Sequence, residues 1–242
     1  MIRRVLCFLI PLMLCASDVR AQNTGASESE VRIRSGDWVL VGDLMVPDEP
    51  AQPPVVLLLN QAAGNRTVYR DLARRLAARG MASLRLDLRG HGESTNMGQF
   101  VPGGESPDAM IWDAEADVVS AAQFLRGHPQ LEGSRIGVVG GSYSGEEMAE
   151  AGRIDGFARA YVALSPGSFS EETISGLDSG DAAWLFIASR DERYLTEITA
   201  SVRASSSRTE VLIIPGTSHA TNILESRPDV AERIAVWLAH HL

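Results

Sequence analysis

The sequence predicts an α/β protein built on a doubly wound, mostly parallel sheet with helices on both faces and no large cap domain. Three observations carry this. Short apolar runs recur along the chain, at Val55–Leu59, Met81–Leu86, Arg135–Val139, Ala158–Leu164, Ala182–Ala188 and Glu210–Ile214. Their apolar residues are mostly consecutive rather than alternating, the pattern of strands buried on both faces. Between them lie stretches of helical spacing or length, at Val68–Arg79, Ala109–Arg126, Ser142–Ala151, Glu192–Ala204 and Pro228–His241, and strand–helix alternation gives a parallel sheet. In such sheets ligands bind at the carboxyl ends of the strands.

At 242 residues the chain is long enough for one well-filled core and short for two domains. Residues 1–21 read as an export signal: Arg3 and Arg4 precede an apolar run from Val5 to Cys15, and Val19-Arg20-Ala21 supplies small or aliphatic residues at a cleavage point. The run is too short to span a bilayer comfortably. The alternatives are a retained N-terminal anchor, a buried first helix, or lipidation at Cys15, which would want a small residue where Leu14 stands. Residues 22–30 are polar and small, as in a flexible linker, leaving 31–242 as the folded domain. Val31–Arg34 and Trp38–Val46 flank Ser35-Gly36-Asp37 as a leading antiparallel hairpin, and Pro47–Pro54 breaks regular structure. Glu93–Pro107 is the longest loop and is expected to overhang the active edge of the sheet.

Composition excludes several chemistries. Both cysteines, Cys7 and Cys15, fall in the signal, so the exported chain has neither a disulfide nor a thiol nucleophile. All 22 basic residues are arginine, which removes a P-loop lysine, a Schiff base and a Ser-Lys dyad. The formal charge is −9, and loss of the signal, itself net +2, leaves −11. Such acidity argues against nucleic acid and anionic membrane surfaces as partners. A periplasmic or secreted protein without stable membrane association after signal removal is expected.

The strongest chemical signal is Ile136-Gly137-Val138-Val139-Gly140-Gly141-Ser142-Tyr143-Ser144-Gly145, an apolar strand running into a small-residue turn and then a helix. A serine on such a corner exposes its hydroxyl with a helix N-terminus behind it, as a nucleophile requires. Ser142 could also be a plain helix N-cap, and Ser144 is a rival nucleophile. The pattern departs from Gly-x-Ser-x-Gly in placing Ser144 at the second glycine, with Gly145 one position later.

Together with Leu57-Leu58-Leu59-Asn60-Gln61-Ala62-Ala63-Gly64 and Leu84-Arg85-Leu86-Asp87-Leu88-Arg89-Gly90-His91-Gly92-Glu93-Ser94, this elbow resembles the α/β-hydrolase superfamily, particularly its small dienelactone-hydrolase-like and esterase-like members. The resemblance covers essentially the whole exported chain. It implies that an acid and then a histidine follow the nucleophile. Asp191, just past one strand, and His219, just past the next, fit that order, with Glu192 as the alternate acid. Each has a plain structural reading too: Asp191 as a helix cap, His219 as a solvated loop residue. The resemblance also implies an oxyanion hole from the backbone N–H groups of Ala62 and Tyr143, although Asn60-Gln61 stands where many relatives have His-Gly. The 17 residues between Leu164 and Ala182 are too few for the helical cap of many relatives, so the pocket is expected to be open, with Tyr143, Phe100 and Phe169 as candidate walls.

The expected activity is hydrolysis of a small-molecule carboxylic ester through an acyl-enzyme, with Ser142 attacking, His219 moving the proton and Asp191 orienting it. No metal or organic cofactor is implied. The alternatives are an amidase or peptidase acting on short peptides with the same residues, and a non-catalytic binding protein that has kept the fold.

Overall fold

The computed structural model describes residues 25–104, 109–167, 169–179, 181–192 and 208–242. The expected signal, both cysteines and most of the expected helix Glu192–Ala204 lie outside the described residues. Eight strands form one sheet: β1 (Ala26–Ser35), β2 (Trp38–Pro47), β3 (Val55–Leu59), β4 (Ala82–Leu86), β5 (Ile136–Gly141), β6 (Ala160–Leu164), β7 (Ala183–Ser189) and β8 (Thr209–Ile214). Their order across the sheet is β1-β2-β4-β3-β5-β6-β7-β8. β1 pairs antiparallel with β2 and β2 antiparallel with β4, while every later neighbour is parallel. This is the predicted doubly wound, mostly parallel architecture.

The central strands are buried along their whole length, and successive residues feed opposite faces of the sheet. Val55, Leu57 and Leu59 pack with Val118, Ala122 and Leu125 on one face, whereas Val56 and Leu58 pack with Leu72, Leu76, Ile234 and Leu238 on the other. The first face is covered by α3 (Glu115–Gly127) and α4 (Tyr143–Asp155), the second by α1 (Arg70–Ala77) and α7 (Pro228–His241). Two short helices complete the described set with α2 (Ala109–Trp112): α5 (Glu171–Ser179) between β6 and β7, and α6 (Asn222–Ser226) after β8.

Two expectations change. Residues 26–30 belong to β1 rather than to a linker. They form an outer edge strand paired with β2 as far as Pro47, and such a strand tolerates the polar run Ser-Glu-Ser-Glu because both its faces meet water. The helix expected over Ala109–Arg126 breaks at Asp113–Ala114, where the Glu115 N–H donates to the Glu147 carboxylate at 3.0 Å instead of continuing a helical ladder. The β6–β7 connection carries the nine-residue α5, in keeping with the expectation of no large cap domain.

The segment Asp87–Ser94 ties β4 to its surroundings through buried charge. The Asp87 carboxylate accepts from the backbone N–H of Arg66 at 2.6 Å and of Glu93 at 3.0 Å, and pairs with the Arg66 guanidinium. Arg66 also reaches Asp43 on β2 at 3.1 Å. Arg89 clasps the fully buried Asp117 of α3 with a shortest contact of 2.7 Å. Ser94 closes the turn, donating to the Asp87 carbonyl and accepting from the Val41 N–H. A side chain at Gly92, whose φ is 50°, would collide with the Asp87 carboxylate. Asp87→Ala takes from Arg66 its closest carboxylate and leaves the Arg66 and Glu93 N–H groups without their acceptor, so it is expected to cost about 3–5 kcal/mol of unfolding free energy. Chemical denaturation checks this, and a loss under 1 kcal/mol would refute the role given to the pair.

Candidate active site

Chain order reverses between β3 and β5. From β3 the chain moves outward to β4 and then returns to the far side of β3 to lay down β5, which opens a crevice beyond their carboxyl ends. Leu59 and Gly140 are register partners there, so the loops beginning at Asn60 and at Gly141 leave the sheet side by side.

Ser142 sits at the junction of β5 and α4 with φ 57° and ψ −130°, a region that a side chain enters only where the surroundings enforce it. Its N–H donates to the Leu164 carbonyl at 3.0 Å, and its own carbonyl accepts from Gly145 at 2.9 Å. A side-chain carbon at Gly140 would lie 2.6 Å from the Ser144 carbonyl oxygen, and one at Gly145 would lie 3.1 Å from Pro166. The tight corner therefore needs small residues at both positions. Ser142 makes no capping hydrogen bond with its side chain and is partly exposed. Ser144 is fully buried; its hydroxyl accepts from the Gly141 N–H at 2.8 Å and lies within hydrogen-bonding distance of the Gly141 and Leu59 carbonyls. It fastens the elbow to the end of β3 and is not available as a nucleophile.

The carboxylate at His219 is Glu192, not Asp191. His219 Nδ1 lies 2.6 Å from Glu192 Oε1, and the Glu192 side chain is 8% exposed. A turn in which the Glu192 N–H donates to the Ser189 carbonyl leaves Asp191 exposed at its tip and returns Glu192 to the sheet edge. The other carboxylate oxygen accepts from the Ser165 hydroxyl at 2.7 Å and the Ser189 N–H at 2.8 Å. An ionised carboxylate only accepts, so Nδ1 carries the imidazole proton and Nε2 is left as a base.

The histidine loop is tied down on two sides. The Ser189 hydroxyl donates to the Ser218 carbonyl at 2.6 Å, and the Thr221 N–H donates to the Gln61 side-chain oxygen at 2.9 Å. A side-chain carbon at Gly141 would lie 3.2 Å from Ala220 Cβ, which brings the histidine loop against the residue preceding Ser142. Asn60 is fully buried; its side-chain oxygen accepts from the Leu88 N–H at 2.9 Å, and its amide donates to the Gln61 carbonyl. The turn Gln61–Gly64, closed by a 2.9 Å hydrogen bond, has Ala63 at φ 60° and carries Ala62. Tyr143 is the first residue of α4, where a backbone N–H has no intrahelical acceptor. Among the described residues, the non-glycine positions of positive φ are Ala63, Ser142, Ser165 and Ala220, and each lies just past the carboxyl end of β3, β5, β6 or β8.

Residues 36–151 match the family model described as X-Pro dipeptidyl-peptidase (S15 family). The structure superimposes on a dienelactone hydrolase from Anabaena variabilis with a TM-score of 0.69 and 21% identity, covering 90% of this chain and 99% of that one. An esterase from Pyrococcus furiosus gives a TM-score of 0.70 at 17% identity over 99% and 98% of the two chains. A ferulic-acid complex of Est1E from Butyrivibrio proteoclasticus gives 0.69 at 15% identity over 86% and 98%. This chain has the α/β-hydrolase fold. No curated protein matches its sequence.

Within that hydrolase fold, the two predicted aromatic walls differ in setting. Phe100 stacks on His91 at 4.9 Å, and His91 stacks in turn on Tyr143 at 5.6 Å, so Phe100 lies one ring away from the residue after Ser142. Phe169 packs edge-on against Phe186 of β7 at 5.9 Å and joins the core of the α3–α4 face. His91 donates from Nδ1 to the Arg89 carbonyl at 2.8 Å, and burial holds it toward the neutral form. Among the described residues, no group of three or more His, Cys, Asp or Glu is placed to hold a metal ion, and no helix is long and apolar enough to cross a membrane.

One turn below Tyr143 on α4, Glu147 is 5% exposed. Burial, reinforced by the nearby Glu115, Glu146 and Glu150, pushes its carboxyl up to about 8 from a usual 4.5. A carboxyl whose pKa is raised by folding contributes stability that is complete below pH 4.5 and is lost as pH rises through 8. Glu147→Gln stays uncharged and keeps an acceptor for the Glu115 N–H. Its melting temperature is expected to match the parent near pH 4.5 and to exceed it by several degrees at pH 9, at about 2–4 °C for each kcal/mol relieved. A constant difference across that range would contradict the assignment.

Proposed function

We propose that this protein is an exported serine hydrolase that cleaves small carboxylic esters through an acyl-enzyme. The single observation that carries the reading is the Glu192–His219 pair, its histidine on a loop whose Ala220 and Thr221 pack against Gly141, the residue before a strained, partly exposed Ser142 at the switch point of the sheet. Ser142 Oγ attacks the ester carbonyl carbon while His219 Nε2 takes its proton, and Glu192 stabilises the imidazolium that forms. The carbonyl oxygen gains negative charge and is received by the N–H groups of Ala62 and Tyr143, with the positive end of α4 behind the second. Collapse of the tetrahedral species breaks the bond to the alkoxy oxygen, which leaves as alcohol with the proton from His219. Water then attacks the acyl-enzyme, His219 again takes the proton, and the acid departs as Ser142 recovers its hydroxyl. A β6–β7 connection of this length, carrying the nine-residue α5, suits an open pocket, and Phe100, one ring away from Tyr143, is the candidate apolar wall.

Cleavage of short peptides is the second reading, favoured by the S15 match. That match ends at residue 151, before Ser165, Glu192 and His219, and so speaks to the elbow rather than to the leaving group. Paired ester and amide substrates with one acyl group separate the two. The residues at 1–21 support export to a periplasm or the medium.

Fluorophosphonate labelling with peptide mapping tests the central claim. Ser142 is expected to carry the adduct, with labelling abolished in Ser142→Ala and His219→Ala; a folded but unlabelled parent would overturn the reading in favour of a binding protein. Because Glu192 meets His219, Glu192→Gln is expected to lower kcat on the order of 10³- to 10⁴-fold, whereas Asp191→Asn stays within about twofold. The reverse ranking in steady-state kinetics would return the acid role to Asp191.

A further inference from the structure

Glutamate at the acid position brings a problem that aspartate does not: one more rotatable bond, and so more ways for the carboxylate to miss the imidazole. The structure meets it with a residue to which the sequence pattern assigns no role. Ser165 follows β6 with φ 42° and is 2% exposed. Its N–H donates to Ile187 of β7 at 2.8 Å, and the carbonyl of the preceding Leu164 accepts from Ser142. Ser165 is thus anchored at once to the acid-bearing strand and to the elbow. Its hydroxyl donates to Glu192 Oε2 at 2.7 Å, the oxygen that also accepts from the Ser189 N–H, while Oε1 faces His219.

We propose that Ser165 is a positioning residue that fixes the rotation of the Glu192 carboxylate and thereby the basicity and orientation of His219; this rests on the ester-hydrolase reading above. Two donors on Oε2 leave Oε1 as the oxygen presented to Nδ1, and a hydrogen bond to a charged acceptor is among the stronger ones in proteins. The backbone alone does not account for a serine here. At φ 42° glycine satisfies the turn without strain, whereas a side chain raises its energy, so the hydroxyl has to act if it is to offset that cost.

Ser165→Gly separates the two roles, because it removes the hydroxyl and relieves the backbone together. If Ser165 only shapes the turn, the glycine variant is as stable and as active as the parent. If it positions Glu192, the variant keeps or gains melting temperature but loses about ten- to a hundredfold in kcat on a p-nitrophenyl ester, with KM within about twofold. The acid limb of kcat/KM moves to lower pH, since a carboxylate free to rotate away from Nδ1 stabilises the imidazolium less. Ser165→Ala is expected to show the same kinetic loss without the gain in stability. Titration of the His219 imidazole by NMR in parent and glycine variant reads the pair without substrate. A variant with parental kcat and an unmoved His219 titration overturns the proposal while leaving the hydrolase reading intact. A parent that turns over no ester, with a His219 titration lowered in the variant, overturns the hydrolase reading and supports the Ser165–Glu192 link.

Discussion

A non-glycine residue at φ 57° and ψ −130° costs on the order of 1–3 kcal/mol and persists only where its neighbours leave no alternative. Ser142 is such a residue, and much of the architecture bears on holding it there. Its strand lies at the centre of the sheet, between β3 and β6, so neither edge of β5 is free to relax. Leu164 of the next strand takes its N–H. Ser144 reaches across to Leu59, whose carbonyl also accepts from the buried Tyr69 hydroxyl at 2.8 Å. Removing water from these central strands supplies the driving force, at roughly 1.5–3 kcal/mol for each large aliphatic side chain fully buried, and the elbow draws its rigidity from that burial.

The strain is not confined to one residue. Among the described residues, four non-glycine positions of positive φ stand just past the carboxyl ends of four different strands, and side-chain hydrogen bonds brace the loops that carry them. Gln61 ties the Ala63 turn to the Ala220 loop, Ser189 ties the acid loop to the histidine loop, and Ser165 ties the acid loop to the end of β6. Each link uses a neutral donor or acceptor rather than an ion pair. The strong charges lie one layer away, at Asp87 with Arg66 and at Arg89 with Asp117, where they brace β4 and α3 without placing a second carboxylate against His219.

Most of the scaffold was legible because its strands are apolar on consecutive residues and its final helix opens on Pro228. Residues 26–30 were not, since an edge strand wetted on both faces has no apolar pattern to show. Nor was the break at Asp113–Ala114, which depends on a carboxylate 32 residues further along the chain. At the site, Ser142 and His219 are legible from strand–turn punctuation. The acid is legible only to within one residue, because whether Asp191 or Glu192 returns to the sheet is decided by the Ser189–Glu192 turn. Ser165 carries no sequence signal, as nothing in its neighbours announces a positive φ.

The departures from the superfamily pattern make sense together rather than singly. Ser144 stands where a glycine is usual, Gln61 where another is usual, and Glu192 meets His219 where Asp191 was expected to. In each case a smaller or shorter group gives way to one that can reach a neighbouring loop: Ser144 to Leu59, Gln61 to Thr221, Glu192 to Ser165 and His219. A longer acid gains reach and loses definition, so it is useful only if something else restores its orientation. Side-chain hydrogen bonds among the described loops supply that restoration, and fixing donors and base in advance of substrate is what stabilisation of a developing oxyanion demands. The cross-bracing of the loops then builds into the edge of the sheet itself the rigidity that a longer carboxylate side chain requires.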